Sequence, residues 1–215
     1  MKTLNVPFIA NLENMDFQTL QHAMELGGKK DFIGEVNWPE KFGYQPSCVF
    51  NIARSEKALA IVYHVRGLDL RAKALEDNGP VWEDSCCEFF VASPDGSRYY
   101  NFEMNCIGTV LNGQGPDRHD RVRTHLEEMK KIRRFSSLEH REIEESDQLF
   151  SWQTAMVIPF EMMGMDPGQL PAEIQANFYK CGDKTAHPHF VSWNPIQTEK
   201  PDFHRPDFFG KLILK

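Results

Sequence analysis

The sequence predicts a mainly β protein: an antiparallel β-sandwich of jelly-roll type with one or two short helices. Apolar residues recur mostly with period two rather than 3.6. The runs that show this are short and punctuated by Pro, Gly and Asp, the pattern of many strands joined by turns. A length of 215 residues fits one domain over residues 1–215, because sandwiches reach this size as single units. With 41% hydrophobic and 26% charged residues, the chain can fill a sizeable core and still cover it as soluble globular proteins do.

The first element is the exception to period two. Asp16 is a helix cap, Phe17, Leu20 and Met24 share a face, and Gly27-Gly28 ends the helix. In ALAIVYHVR, Leu59, Ile61, Tyr63 and Val65 point one way, with Val62, His64 and Arg66 on the other side. YYNFEMNC sets Tyr100, Phe102, Met104 and Cys106 against Asn101, Glu103 and Asn105. Residues 119–134 are charged, and Val122, Leu126 and Met129 suggest a weak helical stripe lying over the sandwich edge. SWQTAMVIP, QANFYKC, HFVSWNP and FGKLILK add four further short strands.

One hairpin is specified in detail. Asp95-Gly96, inside PVWEDSCCEFFVASPDGSRYYNFEMNC, is the dipeptide of a two-residue hairpin loop. Closing there puts Val91 opposite Tyr100, Phe89 opposite Phe102 and Cys87 opposite Met104, an apolar face that belongs to the core. The other face pairs Phe90 with Asn101, Glu88 with Glu103, and Cys86 with Asn105. Turn and side-chain pattern agree on this register independently. The Glu88–Glu103 pair is then in conflict with the fold, since directly opposed Cβ atoms lie about 4.5–5.5 Å apart and like charges there destabilise. Three compensations are open: a cation from a neighbouring strand, such as Arg66 or His64; a ligand whose hydroxyls donate to the carboxyls, one of them raised in pKa; or a bound cation such as calcium. Conflicts of this kind mark candidate functional sites.

A formal charge of −7 argues against a nucleic-acid backbone as partner. No apolar run approaches the ~20 residues of a membrane span. The opening MKTLNVPFIANLENMDF is broken by Pro7 and Asn11 and reads as no signal peptide, which leaves the cytoplasm or the mature part of an exported protein. Five cysteines, an odd number without Cys-x-x-Cys spacing, disfavour a disulfide framework and point to buried reduced thiols.

Taken together, PVWEDSCCEFFV, YYNFEMNCIGT, the Trp of SWQTAMVIP, NFYKCGD, VSWNP and FHRPDFFGKLIL resemble the family 9 carbohydrate-binding modules, in particular their shorter bacterial "family 9-like" branch. The likeness runs from about residue 48 to the end. It implies a sandwich that binds sugars without catalysis, often at reducing ends, with structural calcium in some members and no other cofactor. It also implies that Trp82 forms one wall of a sugar slot, that Glu88 hydrogen-bonds hydroxyls, and that Phe203 is the second aromatic wall, Trp193 being structural. Two positions depart from the family: Phe203 stands for a tryptophan, and Glu103 stands where an arginine is usual. A sugar offers apolar C–H faces and hydroxyl edges, so a slot needs flat rings and carboxyls or amides. The expected ligand-binding set is Trp82, Phe203, Glu88, Glu103, Asn105 and Arg66, around a mono- or oligosaccharide.

Four other readings use the same residues. The Glu88/Glu103 pair resembles the ~5–5.5 Å carboxyl separation of retaining glycosidases, although no catalytic motif accompanies it. Met104 and His64 are tempting haem ligands, yet alternation sets them facing apart. CGDKTAHPHF offers Cys181, Asp183, His187 and His189 to a metal, but a solvated turn explains it more simply. A sandwich that has lost sugar binding and serves a protein partner is the fourth. His22, His119, His125 and His140 read as surface residues.

Overall fold

The computed structural model describes residues 1–146 and 148–214. Its strands are β1 (Thr3–Asn5), β2 (Lys29–Phe32), β3 (Glu35–Val36), β4 (Ser47–Arg54), β5 (Ala58–Gly67), β6 (Leu70–Ala72), β7 (Cys86–Ala92), β8 (Tyr99–Asn105), β9 (Val110–Gly115), β10 (Val122–Arg123), β11 (Arg133–Ser136), β12 (Ile143–Ser146), β13 (Phe150–Pro159), β14 (Glu173–Cys181), β15 (Phe190–Ser192) and β16 (Gly210–Ile213). Two helices accompany them, α1 (Phe17–Gly27) and the single turn α2 (Leu126–Met129).

The strands form two facing sheets. The larger runs β1-β16-β14-β7-β8-β9-β10, with β15 on β14 and β3 on β15; the smaller runs β11-β13-β5-β4-β2, and β12 pairs with β6 in a separate ribbon. Pairing is antiparallel except at the edge, where β1 lies parallel to β16. Leu59, Ile61, Tyr63 and Val65 face the space between the sheets, as the alternation predicts, and meet Cys87, Phe89, Phe102 and Phe178 there. Phe50 stacks on Phe178 across the interface with ring centroids 4.0 Å apart, and Trp193 packs edge-on to both. Trp193 is thus the core tryptophan the family resemblance implies. The opposite face of β5 carries Ala58, Ala60 and Val62 under α1, whose Leu20 and Met24 are buried. Asp16 caps that helix, accepting from the Thr19 N–H at 2.9 Å. All five cysteines are buried and free.

The β7–β8 hairpin has the expected register, from Cys86 opposite Asn105 to Ala92 opposite Tyr99. Its loop is longer than a two-residue turn. Ser93 donates to the Arg98 carbonyl, and Gly96 donates to that of Ser93 with Gly96 at φ 68. Pro94 to Ser97 therefore form the loop. Because it grows by one residue on each side of Asp95-Gly96, neither the pairing nor the faces change.

Residues 119–134 bear out the helical expectation only in part. Leu126–Met129 form the turn α2 with Met129 buried, whereas Val122–Arg123 extend as β10 on the edge of β9, leaving Val122 and Leu126 exposed. An open sheet edge offers unpaired backbone groups, and that hydrogen bonding outweighs a weak apolar stripe.

Candidate functional site

The outer face of the larger sheet carries Cys86, Glu88 and Phe90 on β7, and Tyr99, Asn101 and Glu103 on β8. It is roofed by loops, not by a second sheet, and these bring Val81, Ile196, Phe203 and Phe209 into an apolar cluster of their own. Between sheet and loops a cleft of about 400 Å³ remains open. Glu88 and Glu103 line it together with Trp82, Phe203, Arg121 and Asp183. A second hollow of about 580 Å³, around Asp77, Arg134 and His140, includes none of these residues.

Trp82 sits in a 3-10 turn, Val81–Glu83, whose Val81 is fully buried. The Trp82 carbonyl accepts from the Asp183 N–H at 3.1 Å, so the half-buried ring is fixed against the loop that follows β14. Phe203 is 8% exposed; one face stacks on Tyr179 with centroids 4.2 Å apart, and the Tyr179 hydroxyl donates to the Phe203 carbonyl.

Glu88 and Glu103 are directly opposed and only 2% and 4% exposed. Burial, then the adjacent Cys181 and Glu103, push Glu88 well above the usual carboxylate range. The Cys181 thiol donates to Glu88 Oε1 at 3.0 Å. Burial also lifts Glu103, held to about 7 by an opposing set: the Asn101 amide, which donates to it, and the charges of Arg121 and Arg123. The proton that Glu88 retains therefore relieves the conflict between the two glutamates. Asp183 is raised to about 6, by burial first and then by Glu83.

Two expected members lie elsewhere. Arg66 is on the smaller sheet, paired with Ser47 and Ser151, and exposed; β5 is not a neighbour of β7 or β8, so it cannot supply the cation. Asn105 is on the right face of β8 but fully buried, and its amide is consumed locally. It donates to the Ala74 carbonyl and to Asp84, and accepts from the Ile107 and Thr109 N–H groups. The cations near the glutamates are Arg121 and Arg123 instead. Their signal was in DRHDRVR: two arginines spaced by two, following a strand that ends in Gly113 and Gly115. Arg123 pairs with Gly113, lines the cleft and donates to the Asn78 carbonyl.

The rival ligand sets do not converge. Met104 is in the core, while His64 is on the outside of the smaller sheet, beside Glu25. His189 Nε2 accepts from the buried Lys180 ammonium at 2.9 Å, its Nδ1 donates to the His187 carbonyl, and His187 pairs with Asp69, whereas the Cys181 thiol is turned to Glu88. Among the described residues, the donors at metal-ligand spacing are Cys86, Glu88 and Cys181. Two thiols and one carboxyl do not suit calcium, which takes six to eight oxygens. No oxygen-rich calcium set is formed there.

Residues 19–214 match the model of carbohydrate-binding family 9. The chain belongs to that family. A candidate carbohydrate-binding protein of Bacteroides uniformis ATCC 8492 has a crystal structure similar to this one at 37% identity and a TM-score of 0.92, covering 100% of this chain and 99% of the other. Two structures of a family 9 module from Caldicellulosiruptor kristjanssonii, in complex with glucose and with cellotriose, share the fold at 10% identity, with TM-scores of 0.63 and 0.62. They cover 100% of this chain and 96% and 94% of theirs. No curated protein matches the sequence. This family 9 protein is therefore a non-catalytic carbohydrate-binding sandwich, and the Glu88/Glu103 pair is not a glycosidase centre. No described helix is long and apolar enough to cross a membrane.

Proposed function

We propose that the cleft over Glu88 and Glu103 binds one or two sugar rings of a mono- or oligosaccharide. The observation that carries this reading is the buried, directly opposed glutamate pair at the floor of an open cleft with Trp82 at its margin. A neutral carboxyl donates one hydrogen bond and accepts others, which suits hydroxyls that do both. A volume near 400 Å³ lies in the range of small-ligand sites. Trp82 supplies the stacking face; Phe203, with one side taken by Tyr179, adds a narrower apolar margin. Asn101 and Asp183 complete the polar edge. The Caldicellulosiruptor complexes, on the same fold, hold glucose and cellotriose and favour this ligand class.

Titration calorimetry with neutral and charged mono- and disaccharides tests it. A saturable signal that weakens by about tenfold or more in Trp82→Ala, with the thermal midpoint unchanged, supports the slot. A ligand that binds equally well to the Trp82→Ala protein would place the site elsewhere.

A further inference from the structure

We propose that this cleft selects a sugar carrying an anionic group, which Arg121 and Arg123 receive. The inference rests on the reading of the cleft as a sugar site and narrows its substrate class.

Three arginines line the cleft, and only one is neutralised. Arg118 pairs with Asp202 at 3.3 Å. Among the described residues, neither Arg121 nor Arg123 has a carboxylate within ion-pair distance. Arg121 is nevertheless held in place. It donates to the carbonyls of Asp117 and Tyr99 and to the Asn101 amide oxygen, and its guanidinium lies 4.3 Å from the Tyr99 ring centroid. Every one of these acceptors is uncharged, so the guanidinium is oriented without a direct ion pair. Arg123 is tethered in the same way, to the Asn78 carbonyl.

The remaining groups facing Arg121 and Arg123 offset them only in part. Asn101 and His204 are uncharged at neutral pH, burial having pushed His204 down to about 3. Glu88 keeps its proton and Glu103, near both guanidinium groups, keeps part of one; Asp117 adds a charge beside Arg121, while Asp202 is taken up by Arg118 and Asp183 lies towards Arg118 and Lys180. A partly buried cation without a counter-ion is costly, and an incoming anion removes that cost while gaining charge-assisted hydrogen bonds. A neutral hydroxyl can accept from a guanidinium, but an anionic group gains more from two preset ones. The planar carboxylate of a uronic acid matches the fork of an arginine, and a phosphate or sulfate ester has the same acceptor chemistry.

Calorimetry at pH 7 in about 50 mM NaCl, where screening is weak, compares charged sugars with their neutral parents. The panel is glucuronate and galacturonate against glucose and galactose, glucose 6-phosphate against glucose, and acetate and inorganic phosphate as sugar-free anions. The expected result is a charged sugar bound about tenfold or more tighter than its neutral parent. That preference should fall below about threefold in Arg123→Met, a substitution at an exposed edge position, and in wild type at about 0.5 M NaCl. Arg121→Lys, which keeps the charge but loses the fork, should weaken a uronate more than a phosphate ester. Which charged sugar binds separates the uronic-acid source from the ester. A neutral parent bound as tightly as its charged counterpart overturns the proposal and leaves the sugar site standing. Acetate or phosphate bound as tightly as the charged sugars, or silence across the whole panel, overturns both.

Discussion

Glu103 is buried on a sheet face, hydrogen-bonded to Asn101, and carries a pKa of about 7 where an unfolded glutamate has about 4.5. Folding therefore favours its protonated form. Its contribution is greatest below the unfolded value, is lost between about pH 4.5 and 7, and stays lost above. At about 1.4 kcal/mol per unit, the cost at pH 8 is roughly 3 kcal/mol. Glu103→Gln keeps an acceptor for Asn101 and removes the charge. It should raise the melting temperature at pH 8 by roughly 5–10 °C, with little change near pH 4.5. Thermal melts across that range check it; a variant no more stable than wild type at pH 8 would mean that the pair is relieved by something other than a proton. At this scale the sequence was informative but incomplete. Period-two alternation and one turn dipeptide are local, so they were enough to bring Glu88 and Glu103 together. Arg66 failed because ALAIVYHVR does not say which sheet it joins, and Asn105 failed because its partners Asp84 and Ala74 are remote in sequence.

The element that carries the unforeseen arginines is the edge strand β10 and the loop before it. Two glycines of β9 make their approach feasible. A Cβ on Gly115 would collide with the Asp120 carbonyl oxygen, and one on Gly113 would come within 3.2 Å of the Val122 carbonyl. Backbone cannot yield there as a side-chain tip can. Gly115→Ala should therefore displace residues 117–121, cost about 1–3 kcal/mol, and weaken anionic-sugar binding together with stability. The same substitution at Gly96, whose Cβ would meet nothing, changes stability through its positive φ but should leave binding intact. Calorimetry on the two variants separates the effects, and equal binding by both would show that β10 does not set the cleft. Strands with strong alternation, such as β5, β7, β8 and β14, were legible from pattern alone. The β10 segment was not, because its pairing is decided by glycines a few residues upstream and not by its own weak stripe.

At the scale of the whole molecule, the sandwich was legible because its evidence is distributed over many runs and no single misread element can undo it. Sequence pattern does not, however, say whether the two sheets fold as one unit, and here the packing is specific. Phe50 and Phe178 stack across the interface, and the Cys48 and Cys87 thiols, one from each sheet, approach to 4.0 Å. Neither sheet buries its inner face without the other. Phe178→Ala should cost about 3–5 kcal/mol and leave a single unfolding transition at a lower midpoint. The two thiols report cooperativity directly, since neither is reachable from solvent while the interface holds. In urea, Cys48 and Cys87 should become reactive towards a thiol reagent with the same midpoint, which matches that of circular dichroism. If Cys48 labels at a urea concentration that still protects Cys87, the smaller sheet opens on its own and the single-unit account fails. A common midpoint means that a ligand in the cleft, which touches only the larger sheet, stabilises both.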